Sequence, residues 1–186
     1  MSDFEKVMLE FASSEHAKIG QLYDDKPYSY HLKQVADVLA WGHIEVGLVP
    51  DSSLYAAAVC HDLLEDTNLS YNDLVKEIGP HSADIVYDVT NELGRNRKER
   101  AEKTYPKIRE NPRAIMVKLA DRIANVEYSQ KRGSSMYEKY KKEYLEFDKA
   151  LYSPSFFKEY PAMGPLWGRL DRAVYGKFFV YSNSTA

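Results

Sequence analysis

The chain has 186 residues, 44% of them hydrophobic, which suits one domain with a real core, or one domain with a tail. Its 25 basic and 28 acidic residues leave a net charge of −3, so no global basic field points to nucleic acid. No apolar run approaches the ~18 residues of a membrane span. The N-terminal MSDFEKVMLEFA lacks a signal-peptide pattern, and the single cysteine, Cys60, excludes an internal disulfide framework. Together these features place the protein in a reducing cytoplasm, with Cys60 as a small core residue.

Helix signals dominate in chain order. Phe4, Val7, Met8, Phe11 and Ala12 form an apolar stripe over residues 3–18. Gly20, Asp24, Asp25 and Pro27 mark a loop over 20–27. Leu32, Val35, Ala36, Val38 and Leu39 make 29–46 a second amphipathic helix, and Pro50-Asp51-Ser52 breaks it and caps a helix over 52–64. Ser70 with Asp73 reads as a capping box opening a short helix that Gly79-Pro80 closes. Residues 81–92 continue helical, and the basic, polar stretch 94–112 reads as short helices and a loop. Asn111-Pro112 starts a helix through 128, Gly133 ends that region, and a charged helix follows over 135–151. No alternating strand pattern of useful length occurs, so the expected fold class is all-α: a helical domain over 1–151 and an aromatic-rich extension over 152–186. The extension carries Tyr152, Phe156, Phe157, Tyr160, Trp167, Tyr175, Phe178, Phe179 and Tyr181. It is expected to pack on the domain or to form a contact between copies.

Two segments put ionisable groups where the pattern reads as buried. In AAAVCHDLLEDT, an apolar helix ends in His61-Asp62, with Glu65 and Asp66 about one turn further on. In IMVKLADRIANVE, Asp121 and Asn125 share a face at i,i+4 beside an apolar stripe. His31 opens a third helix. Burying such groups is costly unless they are paired or bind a cation. Two imidazoles and two carboxylates from three helices suit a divalent metal of borderline softness (Mn, Fe, Co or Zn) with positions left for water.

The order His31, His61-Asp62, Asp121 resembles that of the HD-domain metal-dependent phosphohydrolases. HDLLEDT at 61–67, IGPHSADIVYDVTNE at 78–92 and KLADRIAN at 118–125 are similar to the hydrolase domain of the RelA/SpoT enzymes and to the small alarmone hydrolases of the metazoan SpoT homologue type. The similarity covers roughly residues 5–130. It implies that His31, His61, Asp62 and Asp121 hold one metal ion, usually manganese. It also implies that Glu65 and Asp66 orient or deprotonate the attacking water, and that Asn125 contributes to catalysis. The implied reaction removes pyrophosphate from the 3′ position of guanosine tetra- or pentaphosphate.

Cations for the substrate's phosphates are sought in Arg95, Arg97, Lys98, Arg100 and Lys103, with Lys18 and Arg122 secondary. Tyr23, Tyr28 and Tyr30 are candidates for stacking on a base or ribose. The chain departs from the family's pattern at Tyr23 and Asp24, where a nucleotide-reading Arg-Lys pair is usual, and at Leu32, Asn91 and Ala124. None of these belongs to the metal set, and all bear on substrate choice. Two further readings stand beside the alarmone one. One is an HD phosphohydrolase of another phosphorylated nucleotide, such as a deoxynucleotide, a nucleoside monophosphate or NADPH. The other is a catalytically silent HD module that binds a nucleotide or a partner.

Overall fold

A computed structural model describes residues 2–176; Phe178, Phe179 and Tyr181 lie outside them. The described chain is helical except for one small hairpin. Helix α1 spans Asp3–Lys18, opened by a capping box in which Ser2 and Glu5 satisfy each other's backbone N–H. Strands β1 (Leu22–Tyr23) and β2 (Lys26–Pro27) pair antiparallel. The segment expected as plain loop is thus an ordered turn. Asp24 takes a positive φ of 53°, a conformation that a short polar side chain tolerates, and Arg132 reaches both Asp24 and Asp25, at 4.0 and 3.6 Å.

Helix α2 is Ser29–Ile44 and α3 is Ser52–Cys60, the latter N-capped by Asp51. The helix expected over 52–64 is interrupted at His61-Asp62, and a single turn, α4 (Leu63–Asp66), follows. Helices α5 (Tyr71–Ile78), with its Ser70–Asp73 capping box, and α6 (Pro80–Val89) meet at Gly79. The stretch expected as short helices and a loop is one helix, α7 (Arg97–Glu110), capped by Asn96 and containing Pro106. Proline removes one helical hydrogen bond. Here the carbonyl left over belongs to Glu102, an exposed residue of α7.

Helix α8 runs from Pro112 to Arg132, a turn beyond the expected 128, and Gly133 closes it with a left-handed φ of 63°. It is the central post, packed against α2, α3, α6, α7, the charged helix α9 (Ser135–Leu151) and α10 (Met163–Tyr175). Ile115, Met116, Val117, Leu119 and Ile123 of α8 are buried, as are Val59 and Cys60 of α3. Burial raises the Cys60 thiol pKa, which keeps it a neutral core residue.

Of the residues expected as an extension, helix α10 packs on the helices before it. Leu166, Trp167 and Leu170 are buried against the core, and α10 lies on α8 and α2. Gly42 of α2 makes that approach close: a Cβ there would sit 2.6 Å from Leu166 Cγ. The longest of these helices, α8, has 21 residues, and among the described residues no helix is both long and apolar enough to cross a membrane.

Candidate metal centre

The break after α3 has a geometric consequence. Neighbours in an unbroken helix point about 100° apart, yet His61 and Asp62 converge, with His61 Nε2 3.0 Å from Asp62 Oδ2. His31, in the first turn of α2, brings its Nε2 within 3.8 Å of the same oxygen. Asp121 of α8 presents Oδ1 at 3.4 Å from His31 Nε2 and 3.7 Å from His61 Nε2. One ligand atom from each of His31, His61 and Asp121 falls in a group no more than 4.8 Å across. Asp62 lies against both histidines at its edge, held by a hydrogen bond from the Tyr28 hydroxyl. The two imidazoles and Asp121 are buried.

The donor set fits a cation. His61 Nδ1–H donates to the Ala58 carbonyl at 2.9 Å, which leaves a lone pair on Nε2. That Nε2 is buried without a hydrogen-bond partner and faces the acids. Burial lowers the pKa of His61, but Asp62 and Asp121 outweigh it and hold it well above the ordinary value. The pocket therefore favours positive charge at this nitrogen, which a divalent ion supplies as well as a proton does. Burial works to raise the Asp121 pKa, but Lys118, His31 and His61 overcome it and hold the carboxyl well below the usual range.

Lys118 was not singled out by sequence. It sits three residues before Asp121, with Nζ 3.3 Å from Asp121 Oδ2. Burial alone would lower its pKa, but Asp121, Glu65 and Asp62 raise it. Lys118, Asp121, Arg122 and Asn125 form one helical stripe, and its first member was readable from the i,i+3 spacing. Asn125 donates from Nδ2 to the backbone carbonyl and to Oδ1 of Asp121. Tyr23 donates its hydroxyl to Asn125 Oδ1 at 2.9 Å and stacks on His31 with centroids 4.7 Å apart. Burial pushes the Tyr23 pKa up, so the hydroxyl keeps its proton.

The two acids after the His-Asp pair separate. The Glu65 carboxylate accepts from the backbone N–H and the side-chain Nδ2 of Asn91, at 2.7 and 2.9 Å. Asp66 turns the other way. It accepts from Gln21 Nε2 at 2.6 Å, and Gln21 Oε1 is in turn 2.6 Å from His16 Nδ1. Neither acid is among the residues lining the cavity over the centre, whereas Asn91 is.

That cavity, about 260 Å³, is bounded by the centre, by Tyr23, Tyr28, Tyr105 and Tyr140, and by a basic wall of Arg97, Lys98, Arg100, Lys118 and Arg122. The wall is partly neutralised. Glu143 takes both Arg97 Nε and an Arg97 terminal nitrogen, at 2.8 and 2.9 Å, and Arg122 at 2.9 Å. Arg95 and Lys103, also candidates from the sequence, pair with Glu99 and do not line the cavity. Lys18, a candidate from the sequence, pairs with Glu15 on α1 and does not line the cavity. Tyr30, another candidate, also lies outside the lining.

The family model described as HD domain matches residues 9–147. Among curated relatives, the guanosine-3′,5′-bis(diphosphate) 3′-pyrophosphohydrolase of Aquifex aeolicus is 36% identical over 123 residues, 63% of this chain and 16% of that protein. Guanosine-3′,5′-bis(diphosphate) 3′-pyrophosphohydrolase MESH1 of Drosophila melanogaster is 30% identical over 103 residues, 55% of each chain. The match thus spans about half of one relative and a sixth of the other. A solved structure of a metazoan orthologue of SpoT, described as hydrolysing ppGpp, aligns with a TM-score of 0.68 over 93% of this chain and 94% of that one. At 23% identity, that likeness is one of fold.

Proposed function

We propose, from the premise that the chain belongs to the HD-domain family, that it is a metal-dependent phosphohydrolase acting as a guanosine 3′,5′-bis(diphosphate) 3′-pyrophosphohydrolase. The observation that carries this reading is the buried, unpartnered Nε2 of His61 facing Asp62 in a group with His31 and Asp121. His31, His61, Asp62 and Asp121 would hold one divalent ion, Mn2+ in our reading. When bound, such an ion lowers the pKa of a water molecule and polarises a phosphoryl oxygen.

The protein's own groups do the rest. Glu65, held behind the cavity-lining Asn91, would reach the attacking water at the cavity's edge and accept its proton. Asn91 fixes the Glu65 carboxylate through two N–H groups and leaves each oxygen a free lone pair for that proton. Asp66, anchored by Gln21, orients the turn that carries Glu65. Lys118, at the floor of the cavity, offsets charge as it builds on the phosphate oxygens. Arg97, Lys98 and Arg100 receive the distal phosphates. This division suits phosphoryl transfer, which needs positioning and charge stabilisation more than covalent chemistry.

The hairpin favours a second reading at the substrate level. It carries Tyr23 and Asp24 where the alarmone hydrolases usually have an Arg-Lys pair, which suits a different phosphorylated nucleotide, such as NADPH or a deoxynucleotide. The test is turnover of a panel with Mn2+, read as released phosphate or pyrophosphate. Pyrophosphate from guanosine 3′,5′-bis(diphosphate) supports the first reading, and phosphate from NADPH or a deoxynucleotide supports the second. Silence across the panel with metal bound would leave a binding module.

A further inference from the structure

We propose that Tyr23 is a positioning residue of the metal centre: its hydroxyl orients Asn125, Asn125 orients the carboxylate of Asp121, and its ring fixes the plane of His31. The proposal rests on reading the His31–His61–Asp121 group as a metal site.

The two ends of the Asn125 amide differ chemically but not in shape. Its Nδ2 lies against the carbonyl and Oδ1 of Asp121. Its Oδ1 lies 2.9 Å from the Tyr23 hydroxyl. A flipped amide would set its oxygen against two acceptors on Asp121, so the donor end must face Asp121. The phenol supplies the hydrogen bond that makes this orientation complete. Both ends of Asn125 are then committed within the chain, and Asn125 acts on the reaction through Asp121. The oxygen it holds is the one facing both imidazoles, at 3.4 and 3.7 Å.

Tyr23 touches a second ligand as well. Its ring stacks on His31 at an interplanar angle of 17°, and His31 Nδ1 is buried without a hydrogen bond to fix the ring. Stacking is therefore a main restraint on the direction of His31 Nε2. The support for Tyr23 comes from its packing. It ends a two-residue strand, and its ring also packs on Tyr128 of α8 at 4.6 Å. The hairpin thereby ties His31 on α2 to Asp121 and Asn125 on α8. Residues that orient metal ligands in this way typically govern metal affinity about 10- to 100-fold.

The experiment titrates Mn2+ into the metal-stripped full chain by calorimetry, for the wild type, Tyr23→Phe, Asn125→Ala and the double variant. Folding is read separately by thermal melting in chelator. Tyr23→Phe keeps the stacked ring and removes the hydroxyl. It should weaken Mn2+ binding about 10-fold while melting close to the wild type. Asn125→Ala should weaken it at least as much, and adding Tyr23→Phe to Asn125→Ala should change nothing further, because the hydroxyl then has no amide to orient. Wild-type affinity in Tyr23→Phe overturns the proposal, as do losses that multiply in the double variant. A wild-type chain that takes up no Mn2+ overturns the metal centre itself and this proposal with it, and the wild-type titration alone reveals that case.

Discussion

Replacing Glu143 by Gln should destabilise the protein at neutral pH and matter progressively less in acid. Glu143 on α9 joins three helices: it accepts two hydrogen bonds from Arg97 of α7 and one from Arg122 of α8. Burial works to raise its pKa, but the two guanidiniums overcome it and hold the carboxyl at about 2, against an ordinary 4.5. A depression of that size corresponds to about 3 kcal/mol before screening. Arg97 is 47% exposed, so the net effect is ~1–2 kcal/mol. The folded-state pKa lies below the unfolded one. The stabilisation is therefore complete above the unfolded pKa and disappears as the pH falls through the folded value. It drops to under half by about pH 3. Urea unfolding of wild type and Glu143→Gln at pH 7 and pH 3 measures this directly. With a slope of roughly 2 kcal/mol per molar urea, the variant's midpoint should be ~0.5–1 M lower at pH 7. At pH 3 the gap should shrink to under half. An equal gap at both pH values would show that the Glu143 charge does not hold α7, α8 and α9 together.

Three other substitutions probe separate parts of the molecule. His61→Ala should abolish uptake of a divalent metal, checked by elemental analysis of the purified variant; full metal content would refute the site. Arg100→Ala should raise KM by at least about 10-fold and leave kcat nearly unchanged, the pattern expected when a charged contact to a non-reacting phosphate is lost. An unaltered KM would remove Arg100 from the site. Gly42→Ala places a methyl group into Leu166 and should cost ~1–3 kcal/mol. The thermal midpoint would fall by ~3–10 °C with Mn2+ affinity retained, and an unchanged midpoint would mean that α10 shifts freely on α2.

Much of this architecture could be read from the chain because its strongest signals are local. Ser70 and Asp73 cap α5, Asn111-Pro112 starts α8, Gly133 stops it, and apolar spacing marks the buried faces. The convergence of His31, His61 and Asp121 was legible for a different reason: His61 and Asp121 stand as ionisable groups inside otherwise apolar segments, and His31, at the start of α2, joins them through the resemblance to the His…His-Asp…Asp order. Where the reading fell short, tertiary context decided. The interruption at His61-Asp62 carries no proline or glycine to announce it, and it exists where both side chains turn toward one point. Helix α7 runs through Pro106 at an exposed position, where one lost helical hydrogen bond is least costly. The two-residue strands around Asp24 are too short for any alternation to show. Lys118 was missed because a lysine on a helix normally reads as solvated; its i,i+3 spacing to Asp121 was the available signal, and its burial beside that carboxylate gives the signal its meaning.

The charges around the cavity narrow where substrate recognition resides. Lys118 is committed to Asp121, and Arg97 and Arg122 share Glu143. Lys98 has a 3.9 Å contact with Glu102, both side chains well exposed, and such a pair contributes little. Among the described residues lining the cavity, Arg100 and Lys98 thus carry the positive charge least cancelled by a carboxylate. Both stand on the first turn of α7, with the acid–histidine cluster elsewhere in the same cavity. On the proposed reading, a substrate must then present one phosphate to the metal centre and a second anionic group to the start of α7, with its uncharged body against the tyrosines that line the same cavity. A nucleotide phosphorylated at two separate positions meets that requirement, whereas a nucleoside monophosphate leaves Arg100 and Lys98 without an anion. Arg100→Ala should therefore penalise the doubly phosphorylated members of the panel far more than the singly phosphorylated ones, and an equal penalty on both would break the link between this wall and substrate choice.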